Sequence, residues 1–148
     1  MINKMKPKII QGNVHSDYRG TLFYNNDFDA TEVKRFYIIE NKDTQFIRGW
    51  QGHKIEQRWF SAIQGSFKIK LIEIDDWKNP SKTLSPFTFE LKSTQINVLH
   101  IPSGFISSIQ SLKENSKLLV MADYLLGKIK DEYRYETDYF SAIKNKIC

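Results

Sequence analysis

In SFKIKL, residues 66–71, apolar and polar side chains take strict turns. Phe67, Ile69 and Leu71 point one way, and Ser66, Lys68 and Lys70 the other. A helix would scatter such a set around its circumference; only an extended strand gathers it on one face. The same period of two runs through VKRFYIIE, where Val33, Arg35, Tyr37 and Ile39 share one face and Lys34, Phe36, Ile38 and Glu40 the other. QINVLHI (95–101) and SKLLVMADY (116–124) also read as strands, the second largely buried. Gly20, Gly49, Gly65 and Gly104, with Pro80, Pro86 and Pro102, punctuate these runs. Strands separated by turn signals at roughly 8–12-residue spacing predict an all-β sandwich or barrel. Ten Phe and seven Tyr lean the same way. Helical signals are confined to the end, where Asp138 is placed to cap a short helix through YFSAIKNK with lysines near its C-terminus. The expected layout is a core barrel over about residues 20–125 with this tail packed on its outside.

A chain of 148 residues suits a single domain, which buries about 70% of its unfolded surface and needs no staples. Its single cysteine, Cys148, rules out an intrachain disulfide and fits a reducing compartment. MINKMKPKII carries lysines but no apolar stretch of signal-peptide type, and the longest apolar run, LLVMA, is far too short to span a bilayer. A soluble, cytoplasmic protein without membrane contact is expected. The net charge of +5 invites an anionic partner. The lysines are scattered, with no basic block or basic helix, so the pattern does not favour nucleic acid. A small anionic ligand, or solubility alone, accounts for the excess.

The stretch RGWQGHKIEQRWFSAIQG (48–65) has the make-up of a site rim: arginine, glycines, one imidazole at His53 and an amide two residues earlier at Gln51. The spacing Gln51, His53, Arg58, Gly65 resembles the first motif of the cupin superfamily, whose usual form is His-x-His, a short gap, Glu, six residues and Gly. HIPSGFISSIQSL resembles the second motif, with Pro102 and Gly104 in place and Ser107 where its histidine would stand. Metal-binding cupins need three His and one Glu at these positions. Here they are Gln51, His53, Arg58 and Ser107. A guanidinium stays charged and cannot ligate a cation, and one imidazole is not a transition-metal site. No metal and no other cofactor is expected; a guanidinium at the mouth suits an anion.

Within the cupins, DYRG (17–20), FIRGW (46–50) and IPSGF (101–105) resemble elements of the dTDP-4-keto-6-deoxy-hexose 3,5-epimerases. KRFYII followed by RGWQGHK, then GSFKIKL and a closing DEYRYETDYF, resembles the sugar 3,4-ketoisomerases of the WxcM-like group. The resemblance runs over roughly residues 12–140. It implies a jelly-roll barrel, a homodimer and a nucleotide-diphospho-sugar substrate in the barrel mouth. It places Arg19, Arg48 and Arg58 against the diphosphate or sugar, and Tyr37 on the pocket wall. Both groups carry a histidine where this chain has Gln51, and in the epimerases it is the base. An amide cannot take a proton near neutral pH, although it can hydrogen-bond a keto oxygen. A 3,5-epimerisation needs a base and an opposed acid. A one-face 3,4-ketoisomerisation needs a single proton carrier, and His53 matches the second histidine of the ketoisomerase motif. Gln51 and His53 lie two apart, so on a continuous strand both face the same side. Tyr124 matches the tyrosine that acts as acid in the epimerases. Three readings follow: a metal-free isomerase or epimerase of a dTDP-4-keto-6-deoxy-hexose in polysaccharide sugar biosynthesis; a family member without turnover that binds a nucleotide-sugar or a protein; and a one-centre epimerase using His53 or Tyr124. His15, in a polar segment before DYRG, is expected on the surface. His100 alternates with Ile96 and Val98 and is expected to point into the barrel as a core or wall residue.

Overall fold

The computed structural model describes residues 5–140, which form twelve strands and no helix. In chain order they are β1 (Lys8–Ile10), β2 (Asn13–Asp17), β3 (Gly20–Tyr24), β4 (Arg35–Ile39), β5 (Ile47–His53), β6 (Arg58–Gln64), β7 (Ser66–Glu73), β8 (Phe87–Lys92), β9 (Val98–Ile101), β10 (Phe105–Ser111), β11 (Lys117–Ala122) and β12 (Glu132–Arg134). Two five-stranded antiparallel sheets pack face to face, in the orders β1-β9-β6-β11-β4 and β12-β5-β10-β7-β8. From β4 to β12 the chain crosses between the sheets at every connection but the β7–β8 hairpin. That is the winding of a jelly roll. The sheets do not close into a barrel. β1 and β12 lie outside residues 20–125 and still belong to the sheets. β2 and β3 form a separate hairpin that pairs with neither sheet.

The alternation seen in the sequence becomes the core. Phe67, Ile69 and Leu71 of β7 are fully buried and meet Phe60, Ala62, Leu99, Leu118 and Val120 from the opposite sheet. Burying side chains of this size is worth about 1.5–3 kcal/mol each. The sandwich is filled on its outside as well. Trp50, Ile72, Ile74 and Ile106 on the outer face of the second sheet pack against Tyr135, Tyr139 and Phe140, so the described part of the C-terminal segment does lie outside the core. Residues 137–140 form a turn where the helix expected from Asp138 would begin, and the remainder of that helix lies outside the described residues.

Two glycines are required by this geometry. Gly65 takes φ of 72° in the turn between β6 and β7, where a Cβ would also fall 2.1 Å from Ser116 Oγ. At Gly52 a Cβ would fall 2.2 Å from the Phe105 oxygen, so β5 and β10 lie as close as they do only because no side chain intervenes. Gly49, expected between strands, sits inside β5 beside an irregularity in the β5–β10 ladder. Ser107 pairs with Gln51, but Ile109 pairs with Arg48, so β5 has one residue more than β10 over this stretch.

Candidate active site

The extra residue in β5 has a direct consequence for the pocket. In an unbroken strand, residues 48 and 51 would face opposite sides. The bulge turns Arg48 to the same side as Gln51 and His53, and all three line one pocket between the sheets. Ser107, opposite Gln51, and Phe105, opposite His53, line it from β10. The other sheet contributes Tyr37, Ile39, Arg58 and Phe60. The space amounts to about 530 Å³ with its open mouth included. All four positions that the cupin motifs bring together, Gln51, His53, Arg58 and Ser107, therefore line one cavity.

His53 is buried at the end of β5. Its Nδ1 lies 3.0 Å from the Asp131 backbone oxygen and 3.6 Å from Glu56 Oε2. Its Nε2 has no protein partner among the described residues. Burial, followed by the Arg58 charge, lowers the His53 pKa; Glu56, the bond to the Asp131 carbonyl and the Asp131 carboxylate oppose the shift. The ring is thus held neutral near pH 7, the form a general base requires. Arg58 donates to Glu56 Oε1 at 2.8 Å, and both side chains are buried. Arg48 reaches Asn41 Oδ1 at 3.3 Å and lies over the Phe46 ring. The Gln51 amide donates to Glu132 across the β5–β12 pair.

Three residues essential to this arrangement were not singled out from sequence. Glu56 neutralises Arg58. Asp131, arriving from a segment more than seventy residues away, bonds the backbone after His53. Arg35 lies over the Tyr37 ring at 5.2 Å, and its buried Nε has no hydrogen-bond partner among the described residues. It borders a second groove of about 1100 Å³, open mouth included, that shares His53, Glu56 and Arg58 with the first and adds Lys130 and Tyr133. Arg35 shares a face with Tyr37 by alternation, a signal available in KRFYII.

Other expected residues fall elsewhere. Arg19 sits at the exposed tip of the β2–β3 hairpin, paired with Asp17 at 2.7 Å, and does not line the pocket. Tyr124 lies half-buried beyond β11 and does not line it either. His15 is exposed as expected, on β2. His100 does not point into the sandwich. It stacks on Trp59 at 5.3 Å on the outer face of the first sheet, because Leu99 and Ile101 are the residues of β9 that alternate inward.

His53, Glu56 and Asp131 present possible ligand atoms within 4.8 Å of one another. Their chemistry does not suit a cation. The Asp131 oxygens accept three backbone N–H groups, Glu56 is paired with Arg58, and a guanidinium stands in the site.

Fold and site together define a cupin-like jelly roll whose pocket sets Arg48 and the Arg58–Glu56 pair beside one neutral imidazole. The chain belongs to the family described as WxcM-like, C-terminal, whose model matches residues 5–145. Among solved structures it is similar to a mutant of the 3,4-ketoisomerase QdtA from Thermoanaerobacterium thermosaccharolyticum in complex with TDP-4-keto-6-deoxyglucose (25% identity, TM-score 0.66, 95% of each chain covered). It is similar also to the WlaRB TDP-quinovose 3,4-ketoisomerase from Campylobacter jejuni (25% identity, TM-score 0.64, 91% of this chain and 97% of that one). The rmlC epimerase from Mycobacterium tuberculosis shares the fold (13% identity, TM-score 0.72, 91% of this chain and 72% of that one). No curated protein matches the sequence.

Proposed function

We propose that this protein is a metal-free 3,4-ketoisomerase acting on a nucleotide-linked 4-keto-6-deoxy-hexose, with His53 as the proton carrier. The observation that carries the reading is a buried imidazole with Nδ1 engaged and Nε2 unpartnered, inside a pocket bordered by Arg48 and Arg58. Nε2 takes the proton from C3. The C3–H electrons form the C3=C4 bond and the C4 carbonyl becomes an enediolate oxygen. The 3-hydroxyl proton passes to that oxygen. Nε2 then returns its proton to C4 on the same face, leaving the keto group at C3. Arg58 stabilises the charged oxygen and Gln51 hydrogen-bonds the carbonyl. Arg35, Arg48 and Tyr37 bind the diphosphate and sugar, bidentate guanidinium contacts being well matched to phosphate.

A 3,5-epimerisation is less well served, because Gln51 cannot act as its base and Tyr124 does not line the pocket. Gln51 and Ser107 favour one alternative, a protein that binds a nucleotide-sugar without turning it over. Proton NMR in deuterated water with TDP-4-keto-6-deoxyglucose separates these readings. Exchange at C3 with a new 3-keto product is expected. Exchange at C5 would mean epimerase, and TDP binding without any exchange would mean a binder.

The assembly we read as a homodimer. The hairpin β2–β3 pairs with no other strand among the described residues, and an isolated hairpin is marginal in water. It exposes Tyr18 (96%), Leu22 and Phe23, while Phe36 (71%) and Ile38 are exposed on β4. A second copy covering these groups accounts for them and brings Arg19 towards a partner's pocket. Sedimentation at micromolar concentration is expected to give a dimer; a monomer would remove this part of the reading. No helix among the described residues is long and apolar enough to cross a membrane. We place the reaction in the cytoplasm, in the supply of sugars for polysaccharide synthesis.

A further inference from the structure

Which nitrogen of His53 carries hydrogen is decided outside its own strand. Nδ1 lies 3.0 Å from the backbone oxygen of Asp131. A carbonyl can only accept, so in the neutral ring Nδ1 holds the hydrogen and Nε2 the lone pair. The Asp131 side chain keeps that carbonyl where it is. It is buried, and its carboxylate accepts the N–H groups of Lys54 (3.0 Å), Ile55 (2.8 Å) and Glu56 (2.7 Å). These are the three residues that leave β5 directly after His53. One residue therefore grips the imidazole through its main chain and the following turn through its side chain. The next residue, Glu132, starts the ladder opposite His53, which anchors the grip to the sheet.

We infer that Asp131 is a positioning residue: by tying residues 54–56 to the carbonyl that takes Nδ1–H, it holds His53 in the one tautomer that presents a bare Nε2 to the pocket. The inference rests on the proton-transfer reading for its purpose, though not for its measurement. Glu56, 3.6 Å from Nδ1, is placed to support the imidazolium formed once Nε2 has taken a proton. Arg35, Arg58, Lys130 and Glu132 are the other charged groups that line the groove His53 borders. A wrong tautomer would offer the sugar an N–H where a base is needed.

The test uses the full chain with ¹⁵N-labelled histidine and long-range proton–nitrogen correlation at pH 7.5, with His15→Gln and His100→Gln assigning the other two rings. His53 is expected to show a protonated Nδ1 and an unprotonated Nε2, and the amides of Lys54, Ile55 and Glu56 are expected to exchange slowly. Asp131→Ala is expected to give a mixture of tautomers, with kcat lowered on the order of 100-fold and KM for the keto-sugar changed by less than about threefold. Asp131→Asn, which keeps one accepting oxygen, is expected to fall between. A protonated Nε2 in the wild type, or an Asp131→Ala protein with a pure Nδ1–H tautomer and unchanged kcat, would overturn the assignment. If neither variant folds, fast exchange of those three wild-type amides would overturn it just as well. Should the wild type prove inactive, the spectra still report tautomer and exchange, so failure of the isomerase reading is distinguished from failure of the Asp131 assignment.

Discussion

Two imidazoles in this molecule look alike by the usual measures and differ in almost everything that matters chemically. His53 and His100 are both buried in strands, and burial is the first cause lowering the pKa of each. They sit on opposite surfaces. His53 is inside the sandwich mouth, beside Glu56, Arg58 and the pocket. His100 is outside, stacked on Trp59, with its Nε2 2.7 Å from Gln57 Oε1. Each ring has one nitrogen engaged: Nε2 in His100, by the Gln57 side chain, and Nδ1 in His53, by the Asp131 main-chain carbonyl. Burial and a shifted pKa are thus common to a structural and a chemical histidine. What separates them is the company they keep: His53 lines the inner pocket with Gln51, Arg48 and Arg58, whereas His100 lines an outer groove with Lys8, Gln57 and Trp59.

The sharpest way to break this contrast is to remove each ring in turn. His53→Asn is expected to lower the rate of C3 exchange by about 10²–10⁴-fold and leave TDP affinity, read by calorimetry, nearly unchanged. His100→Asn should leave the rate within about threefold. Equal losses in the two variants would end the distinction. Arg58→Met strands the Glu56 carboxylate in the interior, and denaturant unfolding should show a loss of about 3–5 kcal/mol. The double variant Arg58→Met with Glu56→Gln should recover part of it. Gly52→Ala forces β5 away from β10 and is expected to cost about 1–3 kcal/mol, with the rate falling further than for a comparable change beside His100.

The smallest effect is on pH dependence. For both histidines the folded pKa is below the ordinary value of 6.5, so the unfolded chain binds the extra protons. Their neutral forms contribute stability that is present above about pH 6.5 and lost as pH falls below it. Around His53 the balance involves Arg58, Glu56 and Asp131; around His100 it involves Lys8, Glu32 and Asp123. Unfolding curves across this window should flatten in His53→Gln and in His100→Gln alike. The acid limb of the rate profile should be insensitive to His100→Gln. A rate profile that moved with His100 would blur the two regions; dialysis against a chelator should alter neither.

Much of the architecture was legible in residue order. The alternation in SFKIKL and KRFYII is a local property, and it identified β7, β4 and the inward set Phe67, Ile69, Leu71. The spacing within each motif was also local, and its resemblance to the two cupin motifs implied that Gln51, His53, Arg58 and Ser107 share a site, as they do. The alternation of QINVLHI was equally plain, yet His100 faces outward. Period two separates the faces of a strand without saying which one is inside, and both faces of β9 are buried.

Sequence by itself therefore determined the strands and the all-β class, because these depend on side chains a few residues apart, while the jelly roll and the guanidinium at Arg58 came from motif resemblance. Only the tertiary structure decided that His100 turns away from the sandwich interior, that Arg48 joins Gln51 through a bulge, and that Asp131 reaches across more than seventy residues to grip His53. Each of those outcomes depends on the register between strands distant in the chain, and such register is set by packing between the sheets rather than by any local pattern.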